Sequence, residues 1–457
     1  MSSQLRSVGI DVGTTTTQLI LSQITVENRA SGFAVPEMEI TRRQILYRSP
    51  VQFTPLLSGE LVDGEKLRQI VTREYEKAGI DRASVDTGAI IITGETSRKE
   101  NAAAVLAALS EFAGDFVVAT AGPDLESVLS AKGAGAVERS ARTGGTVLHM
   151  DIGGGTSNLS YIENGSITAT GCLNVGGRLL RFDPQGKVTY VSPVLRELIH
   201  HKEGDILTRE QAMAVARMLA QVLEMAAGLR EKTPVFYKLT TGGTQEINCP
   251  AGATISFSGG VADFIGSAQP YLAYGDLGVL LGQAIKESAL CAGNYFLGDE
   301  TIRATVIGAG CHSAQLSGST VYIQNATLPL KNLPVAHITR QEQSLPANEL
   351  SALIRQRLET LDRWGVLALP GEHAPDYGRI TALADAIAPA MRGKPCYIAL
   401  QADMAKALGH ALALRLGSDA PCVCIDRVAL PTQSYLDIGT PVGPAVPVVI
   451  KTLVFSK

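Results

Sequence analysis

The chain has no surplus of positive charge, no long apolar run and no paired-cysteine motif, and each absence removes a class of function. Of its 457 residues 18% are charged, with 40 Lys and Arg against 44 Asp and Glu, a formal net charge of -4. No Lys/Arg stripe with interleaved aromatics occurs, so nucleic acid is not an expected partner. The most apolar stretches, 278–285 and 442–449, are short, and the second holds two prolines. Neither approaches the roughly 20 apolar residues of a membrane helix. The N-terminus has no leader-like apolar core, and the expected location is cytoplasmic. The seven cysteines form no CxxC and no His/Cys zinc spacing, so reduced, buried thiols are expected. No GxxxxGK[ST] occurs and no GxGxxG follows the first strand, which excludes a P-loop and disfavours a dinucleotide fold.

What is present is a repeat. Residues 6–12 read as a strand, followed by Gly13-Thr14-Thr15-Thr16-Thr17 and a second strand through Leu21. Residues 146–150 are again a strand, followed by Asp151-Ile152-Gly153-Gly154-Gly155-Thr156 and a second strand. Each unit is a hairpin with a polar turn. Asp11 and Asp151 stand about 140 residues apart, the length of one domain. Two similar lobes presenting equivalent loops to one ligand follow from this echo.

The loops suit phosphate. Glycine leaves backbone N–H groups unobstructed and threonine adds hydroxyl donors. Gly13, Thr14, Thr15, Thr16, Gly153, Gly154, Gly155 and Thr156 are therefore the expected phosphate contacts. An aspartate at the end of each leading strand, Asp11 and Asp151, is placed to hold a metal ion through water. Mg²⁺ would offset the repulsion between the two carboxylates. Against this stands a plain hairpin, the reading a single Asp-x-Gly-Thr turn would deserve. The repetition favours phosphate.

Between and beyond the loops, helices are expected over 64–79, 99–113 and 123–132, and strands over 89–93 and 115–120. Beyond residue 330 the pattern predicts a helix over 347–364, strands over 366–369, 396–400, 421–430 and 446–455, and helices over 378–392 and 402–416. The proline-rich stretch 328–334 reads as a linker, and Trp364 as a packing residue in its helix. His200 and His201 read as a polar surface insertion rather than a metal site.

The motifs resemble those of the actin, sugar-kinase and DnaK-type ATPase superfamily, in the expected order. Residues 9–16 resemble the first phosphate motif and 151–157 the second. Ile255-Ser256-Phe257-Ser258-Gly259-Gly260-Val261 resembles the adenosine motif, Gly176-Gly177-Arg178 the pair after the second hairpin, and 122–135 and 303–310 the two connecting helices. The resemblance implies an α/β, actin-like ATPase fold of two ribonuclease-H-like lobes, 1–143 and 144–327, with an additional C-terminal α/β region, 328–457. It implies ATP and Mg²⁺ as cofactors, with Gly176, Gly177, Gly259 and Gly260 against the nucleotide. It also implies a carboxylate that orients the attacking water. Glu126 is the candidate, beside Asp11 and Asp151; Asp124 is its rival and Glu95 a weaker one.

Longer strings, among them residues 7–18, 88–95, 172–180, 302–310, 328–336 and 435–441, resemble the reactivating factors of ethanolamine ammonia-lyase across nearly the whole chain. That family implies a slow, Mg-dependent ATPase with a chaperone role. It would release damaged cobalamin from the inactivated lyase so that intact adenosylcobalamin can rebind. The implied partners are ethanolamine ammonia-lyase, ATP and ADP, adenosylcobalamin indirectly, and a second copy of the chain as a homodimer. The implied place is the cytoplasm, in association with a bacterial microcompartment. The stretch 271–300 departs from the family pattern by being compact. Two alternatives of the same fold are a small-molecule kinase, for which no sugar-kinase motif is present, and a cytoskeletal or scaffold ATPase. A membrane-tethered filament protein would end in an amphipathic helix, whereas this chain ends in an expected strand.

Overall fold

The computed structural model describes residues 2–13, 16–28, 38–58, 61–81, 84–93, 109, 117–120, 123–241, 249, 252–312, 314–318, 320–361, 363–428, 430, 434–441 and 445–452. Thr14, Thr15, Glu95, Gly122 and nearly all of the expected helix 99–113 lie outside them.

The first sheet is built from β1 (Ser2–Val12), β2 (Thr16–Asn28), β3 (Met38–Arg48), β4 (Thr87–Ile92) and β5 (Val117–Thr120), in the order β3-β2-β1-β4-β5. Its first three strands are antiparallel, whereas β4 and β5 run parallel to β1. Helix α1 (Gly64–Ala78) covers one face. Asp63 caps its N-terminus by accepting from the Lys66 N–H, and Gly79 ends it at φ 63°, a conformation that favours glycine. Its Leu67, Val71 and Tyr75 meet Val8, Ile10 and Val12 in one core. Each such side chain contributes about 1.5–3 kcal/mol by burial.

The second sheet repeats the first. After α2 (Pro123–Gly133) and α3 (Ala136–Thr143) come β6 (Thr146–Ile152), β7 (Ser157–Glu163), β8 (Ser166–Leu173), α4 (Arg209–Ala226), β9 (Thr254–Ser258), α5 (Gly278–Glu287) and β10 (Tyr295–Leu297). The strand order is β8-β7-β6-β9-β10, with β9 and β10 parallel to β6. Two sheets of one chain with the same order and the same mixture of senses make this the duplicated α/β architecture of the actin-like ATPases. Helix α3 was not foreseen. The run Gly133-Ala134-Gly135 is a break between two helices, made by Gly135 at φ 73°.

Helices leaving the two fifth strands exchange partners. Helix α2 packs on the second sheet, and α6 (Ala304–His312) packs on β1, β2 and β4 of the first. The two helices cross in contact. A Cβ on Gly133 would overlap the Ala304 carbonyl, and one on Gly308 would overlap the Leu129 carbonyl. Glycine here is needed for close approach of two backbones.

The remaining chain forms a third sheet. Its strands are β11 (Ala314–Leu316), β12 (Tyr322–Gln324), β13 (Leu330–His337), β14 (Val366–Leu369), β15 (Cys396–Leu400), β16 (Cys422–Ile425), β17 (Ser434–Ile438) and β18 (Pro447–Thr452). They lie in the order β11-β18-β17-β13-β14-β15-β16-β12, parallel from β13 to β16. Helices α7 (Ala347–Glu359), α8 (Tyr377–Met391) and α9 (Ala405–Leu416) share one core with these parallel strands. The unit docks on the first lobe: Val449 of β18 joins Ala89, Ile91, Leu129 and Ala309 in a common cluster.

Two expectations fail in this region. The stretch read as a linker, 328–334, runs into β13 at the centre of the sheet. Its prolines are tolerated because pairing with β17 shifts register between Leu330 and Leu333 and passes to β14 from Val335 onward. The expected helix over 347–364 stops at Glu359, so Trp364 lies beyond it. Its ring still packs on the core, with Nε1 donating to the Pro395 carbonyl at 2.7 Å. Six cysteines described are free, and Cys422 and Cys424 share a strand face, with sulfurs 3.9 Å apart. Among the described residues no helix is long and apolar enough to cross a membrane.

Candidate functional site

Each leading hairpin closes in the same way. The Gly13 N–H donates to the Thr16 carbonyl and the Gly153 N–H to the Thr156 carbonyl, both at 2.9 Å. Pairing resumes at Val12–Thr17 and at Ile152–Ser157. Each turn is braced from behind. Thr54 Oγ1 donates to the Gly13 carbonyl at 2.7 Å. At the second turn, the Gly177 N–H donates to the Gly153 carbonyl at 3.1 Å and the Arg178 N–H to the Gly154 carbonyl at 2.6 Å. A Cβ on Gly176 would overlap Gly154, whereas one on Gly155 would meet nothing within 4 Å. Gly176 is thus a packing glycine behind the loop, and Gly155 faces open space. No described hydrogen bond uses the Gly154 or Gly155 N–H, so both donors are available to an anion.

The two aspartates lie near enough to each other for the charge of Asp151 to act on Asp11. Asp11 Oδ1 accepts from Thr93 Oγ1 at 2.8 Å. Asp151 accepts from Ser258 Oγ at 2.8 Å on Oδ1 and from Thr305 Oγ1 at 3.1 Å on Oδ2. Burial pushes the Asp11 carboxyl up to about 7, against the lowering effect of the Thr93 hydrogen bond and with a further push from the negative charge of Asp151. Burial pushes Asp151 up to about 6, opposed by its two hydroxyl donors. His149, behind Asp151, is held neutral, its pKa pushed down to about 3 by burial.

These shifts carry a sign. Both carboxyls are raised above their ordinary 3.8. Their contribution to the stability of the metal-free protein is therefore complete below that value and is lost as pH rises through about 6 and then about 7. A divalent cation takes only the ionised form, so metal and protons compete. Calorimetry of Mg²⁺–ATP binding should show proton release near neutral pH and weaker binding as pH falls through 7 and 6. Binding that is independent of pH across that interval would mean the carboxylates do not meet the metal.

Sequence reasoning missed the residues facing the aspartates across each hairpin. Gln18 pairs in register with Asp11, and Asn158 with Asp151. Both are buried. Gln18 Nε2 donates to the Ile302 carbonyl at 3.1 Å, and Asn158 Nδ2 donates to Glu126 Oε2 at 2.8 Å. Among the described residues no donor reaches Gln18 Oε1 or Asn158 Oδ1. The signal was legible, since the repeat extends to an amide seven positions after each aspartate. Glu126 is buried beside Asn158, whereas Asp124 is exposed and accepts from Thr170 Oγ1 at 2.6 Å. His200 and His201 lie on the second lobe at partly or fully exposed positions. Thr93, Thr54, Ser258 and Thr305 were missed because their partners are distant in sequence.

The adenosine motif ends β9 beside Asp151. Gly259 has φ 84° and its Cβ would overlap the Ile152 carbonyl, whereas the nearest atom to a Cβ on Gly260 is Ile302 Cδ1 at 3.7 Å. Gly259 is required by the backbone, and Gly260 leaves room. The oxygen-only donor set of the cleft is the kind that suits Mg²⁺, a hard cation commonly held by one or two carboxylates together with phosphate. The two orphaned amide oxygens would add acceptors for its water shell. Among the described residues no cluster of three or more His, Cys, Asp and Glu could hold a metal unaided.

Comparison with known proteins gives consistent kinship. Two curated relatives are each called ethanolamine ammonia-lyase reactivase EutA. That of Escherichia coli (strain K12) is 41% identical, covering 99% of this chain and 99% of its own. That of Salmonella typhimurium is 40% identical with the same coverage. Among solved structures, the type II variant of the Aquifex aeolicus Ppx/GppA phosphatase matches at 13% identity and a TM-score of 0.40, over 67% of this chain and 99% of that one. The family described as ethanolamine utilisation protein EutA matches residues 3–456, and the chain belongs to that family.

Proposed function

We propose that this chain is a slow, Mg²⁺-dependent ATPase that reactivates ethanolamine ammonia-lyase, releasing damaged cobalamin so that intact adenosylcobalamin can rebind. The observation that carries this reading is the duplicated hairpin. Its two turns bring Asp11 and Asp151 near enough for the charge of one carboxylate to be felt by the other, and the second turn leaves the Gly154 and Gly155 N–H groups available. The relatives matched end to end are named as reactivases of that lyase.

Each residue then has a task. The backbone N–H groups of Gly154 and Gly155, with the Thr16 and Thr156 hydroxyls and the first loop at Thr14 and Thr15, hold phosphate oxygens. Asp11 and Asp151 fix the water shell of Mg²⁺, which when bound would neutralise phosphate charge. Asn158 donates to Glu126 and so fixes a carboxylate beside the second loop, where it can accept a proton from the attacking water. Gly260 lies against the nucleoside. The place of action is that of the lyase, in the cytoplasm or a bacterial microcompartment.

Gly260→Val tests the adenosine side. A Cβ there meets only the Ile302 side chain, at 3.7 and 3.9 Å, so the variant should fold and fill space meant for the nucleoside. ADP and ATP should both bind at least tenfold more weakly, since valine adds three carbons and even one added methylene in a contact is worth about 1–3 kcal/mol. Unchanged affinity with lower hydrolysis would remove Gly260 from the nucleoside contact. The function itself is tested by adding the protein, Mg²⁺ and fresh adenosylcobalamin to cobalamin-inactivated lyase, with ATP or with a non-hydrolysable analogue. Recovery is expected with ATP only; equal recovery with the non-hydrolysable analogue would overturn an exchange driven by ATP hydrolysis.

A further inference from the structure

A line of buried polar groups runs behind Asp151. His149 stands two residues before Asp151 on β6 and so shares its face. It is fully buried, as are Ser256 and Ser258, alternate residues of the neighbouring strand β9. His149 Nδ1 lies 3.0 Å from Ser256 Oγ and Nε2 lies 2.9 Å from Ser258 Oγ. Ser258 Oγ lies 2.8 Å from Asp151 Oδ1.

Counting protons gives this line a direction. An ionised carboxylate only accepts, and a hydroxyl has one proton to give. With Asp151 ionised, Ser258 spends its proton on Oδ1. His149 Nε2 must then carry hydrogen and donate to Ser258 Oγ. Burial with no carboxylate among its hydrogen-bond partners keeps the ring neutral, so Nδ1 is bare and accepts from Ser256. One tautomer and one direction of donation satisfy all four groups.

We infer that His149 and Ser258 are positioning residues for the metal-holding carboxylate: Ser256 sets the Nε2–H tautomer of His149, whose N–H turns the Ser258 hydroxyl onto Asp151 Oδ1. This rests on the Mg²⁺–nucleotide reading proposed above and deepens it. Without the imidazole donor the Ser258 hydroxyl could rotate to another acceptor. With it, Oδ1 always receives a hydrogen bond from inside the sheet, and Thr305 on α6 supplies the matching one to Oδ2. The carboxylate plane is thereby held by one hydroxyl on each oxygen. Ser258 also immediately precedes Gly259-Gly260, so the strand that carries the nucleoside contact carries the donor to the metal side.

Outer partners of this kind typically change metal affinity or activity by about 10–100-fold. Nitrogen NMR of the unmodified, metal-free protein at a pH where Asp151 is ionised reads the tautomer without any substitution. A neutral Nε2–H ring is expected, and an Nδ1–H ring would overturn the inference. Calorimetry then compares Mg²⁺–ATP with ATP in EDTA. Ser258→Ala should bind Mg²⁺–ATP at least about tenfold more weakly while its affinity for ATP in EDTA stays unchanged. Ser258→Thr, which keeps the hydroxyl, should restore metal-dependent affinity. Equal Mg²⁺–ATP affinity in Ser258→Ala and the unmodified protein would overturn the positioning role alone. Failure of the unmodified protein to bind Mg²⁺–ATP at all would instead overturn the nucleotide reading on which it rests.

Discussion

Asp151→Asn protein is expected to bind ATP close to normally and to lose hydrolysis on the order of a hundredfold or more, the scale seen when one preorganised electrostatic group is removed from an active site. The asparagine keeps the size of the side chain and the Ser258 and Thr305 hydroxyl contacts to its oxygen and amide edge can partly reform. What goes is a full negative charge next to the metal's water shell. Charge-assisted hydrogen bonds are about twice as strong as neutral ones, so metal position suffers more than the grip on the nucleotide. That grip is spread over two braced loops and the Gly259-Gly260 end of β9, none of which depends on Asp151. The loss of a carboxylate also relieves Asp11, whose pKa is raised in part by the charge of Asp151. Asp11 should therefore titrate lower in the variant than its present value of about 7. In the reactivation assay the variant should form a stable complex with inactivated lyase and return no activity. Two measurements on one protein decide the matter: ATP affinity by calorimetry, and recovered lyase activity. Full recovery would mean that hydrolysis at this site does not drive coenzyme exchange.

The second large effect is expected from a single methyl group at the crossing of the connecting helices. Gly308→Ala places a Cβ against the backbone of Leu129 in α2, where it would overlap the carbonyl carbon and oxygen. Alanine is the better helix former by about 1 kcal/mol, which taken alone would stabilise α6. Overpacking costs about 1–3 kcal/mol and occasionally more. Here the obstacle is main chain, which cannot rotate aside as a side chain can, so the steric effect should win. The melting temperature should fall by several degrees. The same displacement should lower ATP hydrolysis, because Thr305 lies one turn away on α6 and holds Asp151. A variant as stable as the unmodified protein, with unchanged turnover, would show that the two helices are free to separate at this point.

These two cases show what could be read in advance. The hairpin echo at Asp11 and Asp151 lies in local order: strand, aspartate, glycine-rich turn, strand. Its periodicity needs no knowledge of distant neighbours, and the observed strands reproduce it. The strands expected at 366–369, 396–400, 421–430 and 446–455 and the C-terminal helices were legible for the same reason, since apolar alternation and caps are written within a dozen residues, whereas β11, β12, β13 and β17 were not. The helix that restarts after Gly135, the strand hidden in 328–334 and the early end of α7 were not. Each is decided by a contact with another part of the chain rather than by propensity. Pro334 tolerates a central strand only because its neighbours change there, and Trp364 leaves its helix to donate to the Pro395 carbonyl.

The site divides along the same line. The identities and spacing of the loop residues and their aspartates follow from the sequence by itself, because a phosphate turn is a local object. The bracing of those loops and the electrostatics of the aspartates came only with tertiary structure. Thr54 lies 41 residues from the Gly13 carbonyl it holds, Ser258 107 residues from Asp151, and Thr305 154 residues from the same carboxylate. A hydroxyl carries no mark of its partner in the sequence. Only folding brings it within the roughly 3 Å at which a hydrogen bond forms, and only burial lifts the carboxyls of Asp11 and Asp151 above their ordinary range.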